Sequence, residues 1–240
     1  MAFKYISSKE NPYFKELIKL KKGYSANSSF LVEGEDIVFE AYKNSCLKEI
    51  ICVEENDVTK QFNNIKTTYI SKNLYKEISS FQSLNQKIIG ICKKEYSNNL
   101  GKRCIYLDNL QDPGNVGTII RSSLAFNFSS LVLSLDSVSL YNSKVIQASK
   151  GAIFHLPIIH NDLLSICRGY NIYLACIDGK DIKEVDKLIE PFILVFGNEG
   201  KGIKNEYLDL GEKLKINMSN FDSLNVASAA AIFLYKYSQN

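Results

Sequence analysis

The sequence predicts an α/β protein, and three observations carry that prediction. Short apolar runs rich in β-branched residues alternate with amphipathic stretches at helical spacing along the chain. The alternation is interrupted once, by the polar stretch Lys93-Lys94-Glu95-Tyr96-Ser97-Asn98-Asn99-Leu100-Gly101-Lys102, which has no apolar period. After it come runs apolar on both faces, such as Cys104-Ile105-Tyr106-Leu107 and Phe192-Ile193-Leu194-Val195-Phe196, as in a mostly parallel sheet. The chain therefore divides into a smaller α/β domain over 1–95, a linker over 96–103 and a second α/β domain over 104–240.

In the first part, residues 8–22 read as a capped amphipathic helix. Asn11 suits the N-cap and Pro12 the first helical position, with Phe14, Leu17 and Ile18 on one face. Lys15, Lys19, Lys21 and Lys22 make the outer face basic, as either a solvated surface or an RNA-facing patch. Strands are expected at 30–32, 48–53, 67–70 and 88–92, and helices at 35–43, 56–62 and 72–78. In the second part, strands are expected at 104–108, 130–134, 155–158, 172–176, 192–196 and 213–217. Helices are expected at 115–126, 142–148, 161–168, 204–208 and 225–237.

Composition narrows the class of function. With 240 residues, 45% apolar and 23% charged, the chain is an ordinary globular one. A net charge of +3 permits an anionic partner without requiring one. The six cysteines are scattered, form no C-x-x-C and sit partly in apolar runs, as small buried hydrophobes in a reducing cytoplasm would. The two histidines, His155 and His160, have no Cys or carboxylate at ligand spacing, so no metal site is expected. No G-x-S-x-G elbow suggests a hydrolase, and no apolar run reaches the ~20 residues that cross a bilayer.

Three loops leave the carboxyl ends of predicted parallel strands, where ligands collect in such sheets. The first is Asp112-Pro113-Gly114-Asn115-Val116-Gly117-Thr118-Ile119-Ile120-Arg121. It lacks the P-loop lysine and the G-x-G-x-x-G of a dinucleotide turn, which also counts against an oxidoreductase. Asn115 is expected to cap a helix beginning at Val116, with Arg121 projecting from its side. The second is Gly197-Asn198-Glu199-Gly200-Lys201-Gly202, in which three glycines flank one acid. The third runs from Ile216-Asn217-Met218 to Ser223-Leu224-Asn225, where Ser223 or Asn225 would cap an alanine-rich final helix.

In order and spacing, the three loops resemble the signature motifs of the SpoU-type (TrmH-like) branch of the SPOUT RNA methyltransferases, over about residues 104–237. The resemblance implies methyl transfer from S-adenosylmethionine to a ribose 2′-hydroxyl of structured RNA, a trefoil-knotted catalytic domain and a homodimer. It assigns Gly197, Ile216 and Leu224 to the methyl donor, and Asn115, Arg121, Glu199, Ser223 and Asn225 to the chemical side of the pocket. Asn11-Pro12, Phe30-Leu31-Val32-Glu33-Gly34 and Glu40-Ala41 are similar to the ribosomal-protein-like substrate-binding domain of rRNA-directed members. The chain has Asp36 and Phe39 where members often carry basic residues, and Ser122 and Asn217 in place of the usual Thr and Pro. The leading expectation is an rRNA 2′-O-ribose methyltransferase. A tRNA ribose methyltransferase and a non-catalytic RNA-binding protein on the same fold are the alternatives.

Overall fold

The computed structural model describes residues 4–23, 28–55, 57–62, 64–80, 88–94, 99–220 and 222–238. The chain forms two compact units. The first comprises Met1–Glu95 with Tyr141–Phe154, and the second Tyr96–Leu140 with His155–Asn240.

The first unit is built on strands β1 (Lys4–Ile6), β2 (Ser29–Glu33), β3 (Leu47–Cys52), β4 (Lys66–Ile70) and β5 (Ile88–Lys93), in the order β1-β4-β3-β5-β2. The sheet is mixed, because β5 runs antiparallel to both β2 and β3. Helices α1 (Pro12–Lys21), α2 (Glu35–Lys43) and α3 (Lys72–Ile78) accompany it. Asn11 caps α1 as expected, its side chain accepting from the Tyr13 N–H at 2.9 Å. Phe14 and Leu17 carry that helix into a core with Ile51, Ile70 and Tyr75. The segment Tyr141–Phe154, with helix α5 (Ser143–Ser149), belongs here too. Ile146 is buried with Phe30 and Val32, the Tyr141 ring lies tilted with its centre 4.6 Å from that of Phe30, and Gln147 Nε2 donates to the Glu33 carbonyl at 2.7 Å.

The second unit holds six strands: β6 (Arg103–Leu107), β7 (Ser130–Leu133), β8 (Ile158–His160), β9 (Asn171–Asp181), β10 (Phe192–Phe196) and β11 (Glu212–Lys215). Their order is β11-β9-β10-β6-β7-β8 and every pairing is parallel. All residues of β6 and β10 are buried, which explains their unbroken apolar runs. The chain moves from β6 to β7 on one side, while β10 lies on the other. The carboxyl ends of β6 and β10 thus flank a topological switch point, the usual ligand position in such sheets. Helices α4 (Pro113–Ala125) and α7 (Val226–Lys236) pack side by side, and Phe233 of α7 meets Phe196 of β10 edge-on at 5.6 Å. A short helix, α6 (Leu163–Ile166), follows β8.

Several elements differ from expectation for local reasons. Strand β1 was not anticipated, being three residues long. In place of a helix at 56–62, Thr59–Gln61 makes one 3₁₀ turn, and positions 56 and 63 lie outside the described residues. Asn205–Tyr207 is likewise a single 3₁₀ turn, held by the Tyr207 hydroxyl donating to Asp162 at 2.7 Å. The strand expected at 155–158 begins at Ile158, because Ala152–Phe154 turns as a 3₁₀ segment and Pro157 precedes the ladder. Strand β9 extends to Asp181, since β11 re-pairs with it at Lys180–Asp181 after a register shift. The pieces of the 93–102 linker fall partly at 95–98, outside the described residues.

Candidate functional site

The first loop is organised by a residue that the sequence reading passed over. Asp112, not Asn115, caps α4: its side chain accepts from the Asn115 N–H at 2.7 Å and Pro113 takes the first helical position. The helix therefore starts three residues earlier than Val116. The Asp-Pro pair carried this signal, as a cap followed by a proline at the first position. The consequence is that the Asn115 side chain is released from capping.

Asn115 uses that freedom to join the other two loops. Its Nδ2 donates to Glu199 Oε1 at 2.9 Å, and its Oδ1 accepts from Asn225 Nδ2 at 3.0 Å. Asn225 in turn caps α7, its Oδ1 accepting from the N–H groups of Ala227 and Ser228 at 2.9 and 3.3 Å. Donor and acceptor roles are consistent along the whole chain of bonds. A backbone N–H can only donate, so Asn225 must present its oxygen to the helix and its amide nitrogen to Asn115. Asn115 then has only its nitrogen left for the acceptor-only carboxylate of Glu199. Of Ser223 and Asn225, the capping role falls to Asn225.

The second loop follows β10. Asn198 and Gly202 pair through backbone bonds of 3.0 and 2.9 Å, and the Asn198 Oδ1 accepts from the N–H groups of Gly200 and Lys201. Its Nδ2 reaches back to the Asn109 carbonyl at 2.7 Å. A Cβ at Gly197 would lie 2.3 Å from the Gly202 carbonyl carbon and the Ile203 nitrogen, so the turn admits only glycine there. Gly202 itself adopts φ +71°. Asn198 was missed in the sequence, although a short polar residue flanked by glycines is where a side chain commonly closes a turn.

A cavity of about 410 Å³ opens among these loops. Gly197, Ile216 and Leu224 all line it, as do Glu199, Ser223 and Asn225, over a floor that includes Phe196 and Phe233. Ala175, Cys176 and Ile177 of the extended β9 complete a wall that the sequence did not suggest. Burial pushes the Cys176 thiol above its ordinary range, keeping it neutral beside the cavity. Ser223 is exposed and makes no hydrogen bond among the described residues. Arg121 stands apart. It is exposed on α4, does not line the cavity and has no polar partner among the described residues. Asn115, Glu199 and Asn225 are thus brought together with the three cofactor candidates, while Arg121 is not. Among the described residues no three His, Cys, Asp or Glu side chains group as metal ligands would, and no helix is long and apolar enough to cross a membrane.

The chain is similar to known proteins in both sequence and fold. A family model described as the SpoU rRNA Methylase family matches residues 102–235. The chain is 31% identical over 248 aligned residues to the 23S rRNA (guanosine(2553)-2′-O)-methyltransferase RlmP of Bacillus subtilis, covering 97% of this chain and 98% of the relative. It is 29% identical over 147 residues to the 23S rRNA (guanosine-2′-O-)-methyltransferase RlmB of Blochmanniella floridana, a match covering 58% of each. The crystal structure of an AdoMet-bound rRNA methyltransferase from Sinorhizobium meliloti superposes with a TM-score of 0.84 at 25% identity, covering 98% of this chain and 97% of that one. With a family match over more than half its length, spanning all three loops of the cavity, the chain belongs to the SpoU rRNA methylase family.

Proposed function

We propose that this protein is an S-adenosylmethionine-dependent RNA methyltransferase that methylates a ribose 2′-hydroxyl of 23S rRNA. The observation that carries the reading is the bonded chain Asn225–Asn115–Glu199 at a cavity lined by Gly197, Ile216 and Leu224. The cavity fits the donor: its size falls in the range of about 300–1,000 Å³ typical of small-molecule sites, and Gly197, which lets the loop close tightly on itself, forms part of its wall. When bound, S-adenosylmethionine supplies an electrophilic methyl carbon on a sulfonium. Gly197, Ile216 and Leu224 would hold it, largely through backbone groups.

The rest of the chemistry falls to side chains. A 2′-hydroxyl is a weak nucleophile, so the site must stabilise negative charge developing on its oxygen. Glu199, held by Asn115, keeps Oε2 without a partner among the described residues and so retains an acceptor for the ribose. Ser223 and Asn225 border the same space and position the sugar. Arg121 acts as a cation rather than a base, because a guanidinium with a pKa above about 12 does not give up its proton at neutral pH. It would neutralise the adjacent phosphate or the forming alkoxide.

Because Arg121 does not line its own chain's cavity, a second copy is the natural source of that charge. Exposed Leu124, Ile232 and Tyr235 lie on α4 and on α7, which lines the cavity, and give a homodimer an apolar face to cover. The trefoil knot is part of the same proposal, as are RNA binding by residues 1–95, with Lys19 and Lys22 exposed on and after α1, and a cytoplasmic location. Calorimetry tests the donor site. S-adenosylmethionine or S-adenosylhomocysteine should bind with a Kd in the region of about 1 μM, roughly −8 kcal/mol, and NAD should not. No heat with either sulfur ligand would refute the reading.

A further inference from the structure

Asp108 is a buried acid for which the reaction above has no use. It is the first residue beyond β6, is fully buried, and its Oδ1 has no hydrogen-bond partner. Burying a carboxylate is costly unless something in the fold compensates, so its position needs a reason. The reason lies in what it holds. Its N–H donates to the Phe196 carbonyl at 2.8 Å, on the residue just before Gly197. Its Oδ2 accepts from the Lys204 N–H at 2.8 Å, just past the closing turn of the same loop. One residue therefore grips both ends of the 197–203 loop, and the next residue, Asn109, accepts from Asn198 near its start at 2.7 Å. The Lys204 ammonium stands 3.9 Å from Oδ1 and donates to Asp136 at 3.2 Å, which keeps a cation beside the buried acid.

We propose that Asp108 is a positioning residue for the methyl-donor site. By bracketing the loop it fixes the wall formed by Gly197, Asn198, Glu199 and Gly202, and so sets how tightly the donor is held. The inference rests on the reading of that cavity as the donor site. Asp108 does not line the cavity and acts through the loop alone. The decisive contact is one backbone N–H. Lys204 has φ −54°, close to the value of about −65° that proline imposes, so Lys204→Pro suits the backbone, removes the donor and, with a ring carbon where the N–H stood, displaces the Asp108 carboxylate from the loop. Lys204→Ala is its control, since it loses the ammonium but keeps the N–H. Asp108→Ala deletes the acceptor, and Asp108→Asn keeps an acceptor oxygen.

The test is steady-state methyl transfer to 23S rRNA, with donor and RNA varied separately and folding checked by thermal melting. The native protein comes first: if it neither binds donor nor transfers methyl, the functional reading itself has failed. Given an active native protein, Asp108→Ala and Lys204→Pro should each raise the KM for donor about tenfold, with kcat and the KM for RNA changed less than about twofold. Asp108→Asn and Lys204→Ala should stay within about twofold of native in all three. An unchanged donor KM in Asp108→Ala and Lys204→Pro would overturn the proposal, as would a loss spread equally over kcat and both KM values. Should Asp108→Ala fail to fold, Lys204→Pro against Lys204→Ala decides alone.

Discussion

Asn115 shows how one side chain converts three loops into a site. It offers an amide nitrogen as donor and an amide oxygen as acceptor, and the two reach different loops. Asn115→Ala leaves both the Glu199 carboxylate and the Asn225 amide without this partner. Single-turnover methyl transfer should slow by about tenfold to a hundredfold, in line with losing a hydrogen bond to a charged group, while donor affinity changes less than about threefold. Donor affinity falling in step with the rate would mean that Asn115 holds the donor instead. The same scale governs Asp108, which burial raises above its ordinary value of 3.8 against the opposing pull of the Lys204 N–H and ammonium. The folded protein then holds this proton more tightly than the unfolded chain. Its contribution is fully present below the ordinary value and is lost as pH rises through the raised one. Replacing Asp108 by Asn removes that loss. The melting temperature of the variant relative to native should therefore rise as pH increases above the ordinary carboxylate value of 3.8. A fall over that range would show the carboxylate to be held charged by Lys204, with Asp136 and Glu206 too distant to oppose it.

At the scale of the element, the 197–203 loop is closely constrained. Gly197→Ala places a methyl group on the backbone of Gly202 and Ile203, against which no side-chain rotation can help. Loss of measurable donor binding by calorimetry, with a destabilisation of at least about 2 kcal/mol by thermal or chemical melting, is expected. Native-like binding would mean that the turn can open without cost. This loop was legible in the sequence, because three glycines after a five-residue apolar strand have few other uses. The start of α4 is half legible: the sequence marks the turn, but Asp112 and Asn115 are both good caps and only the folded chain separates them. Helix α5 was legible as a helix, but not the sheet it covers. Periodicity reveals an apolar face through residues such as Ile146, yet carries no information on the partner, here Phe30 and Val32 of the first unit. The first part of β9 was legible as the strand expected at 172–176, but its extension to Asp181 was not, because Ala175–Gly179 leaves the ladder before Lys180 rejoins it.

Across the whole molecule, the alternation of apolar runs and amphipathic stretches predicts two α/β units divided at 96–103, whereas the structure gathers Tyr141–Phe154 with the first of them; the parallel second sheet followed from runs buried on both faces. The separation of Arg121 from the cavity was not legible, because spacing along a helix does not say which copy of a protein a side chain serves. If a second copy supplies Arg121, two inactive variants should rescue each other. Mixing Arg121→Ala with Glu199→Ala under conditions of subunit exchange should restore about a quarter of native activity, since about half the dimers are mixed and each contains one intact site. A mixture as inactive as its components would place all the chemistry within one chain. The central claim, transfer of a methyl group to a ribose oxygen of rRNA, is tested most directly by mapping. Unmodified 23S rRNA incubated with the purified protein and S-adenosylmethionine should acquire resistance to alkaline cleavage at one nucleotide, because a methylated 2′-oxygen no longer attacks its neighbouring phosphate. No protected position, or methyl label found only on a base, would contradict the account.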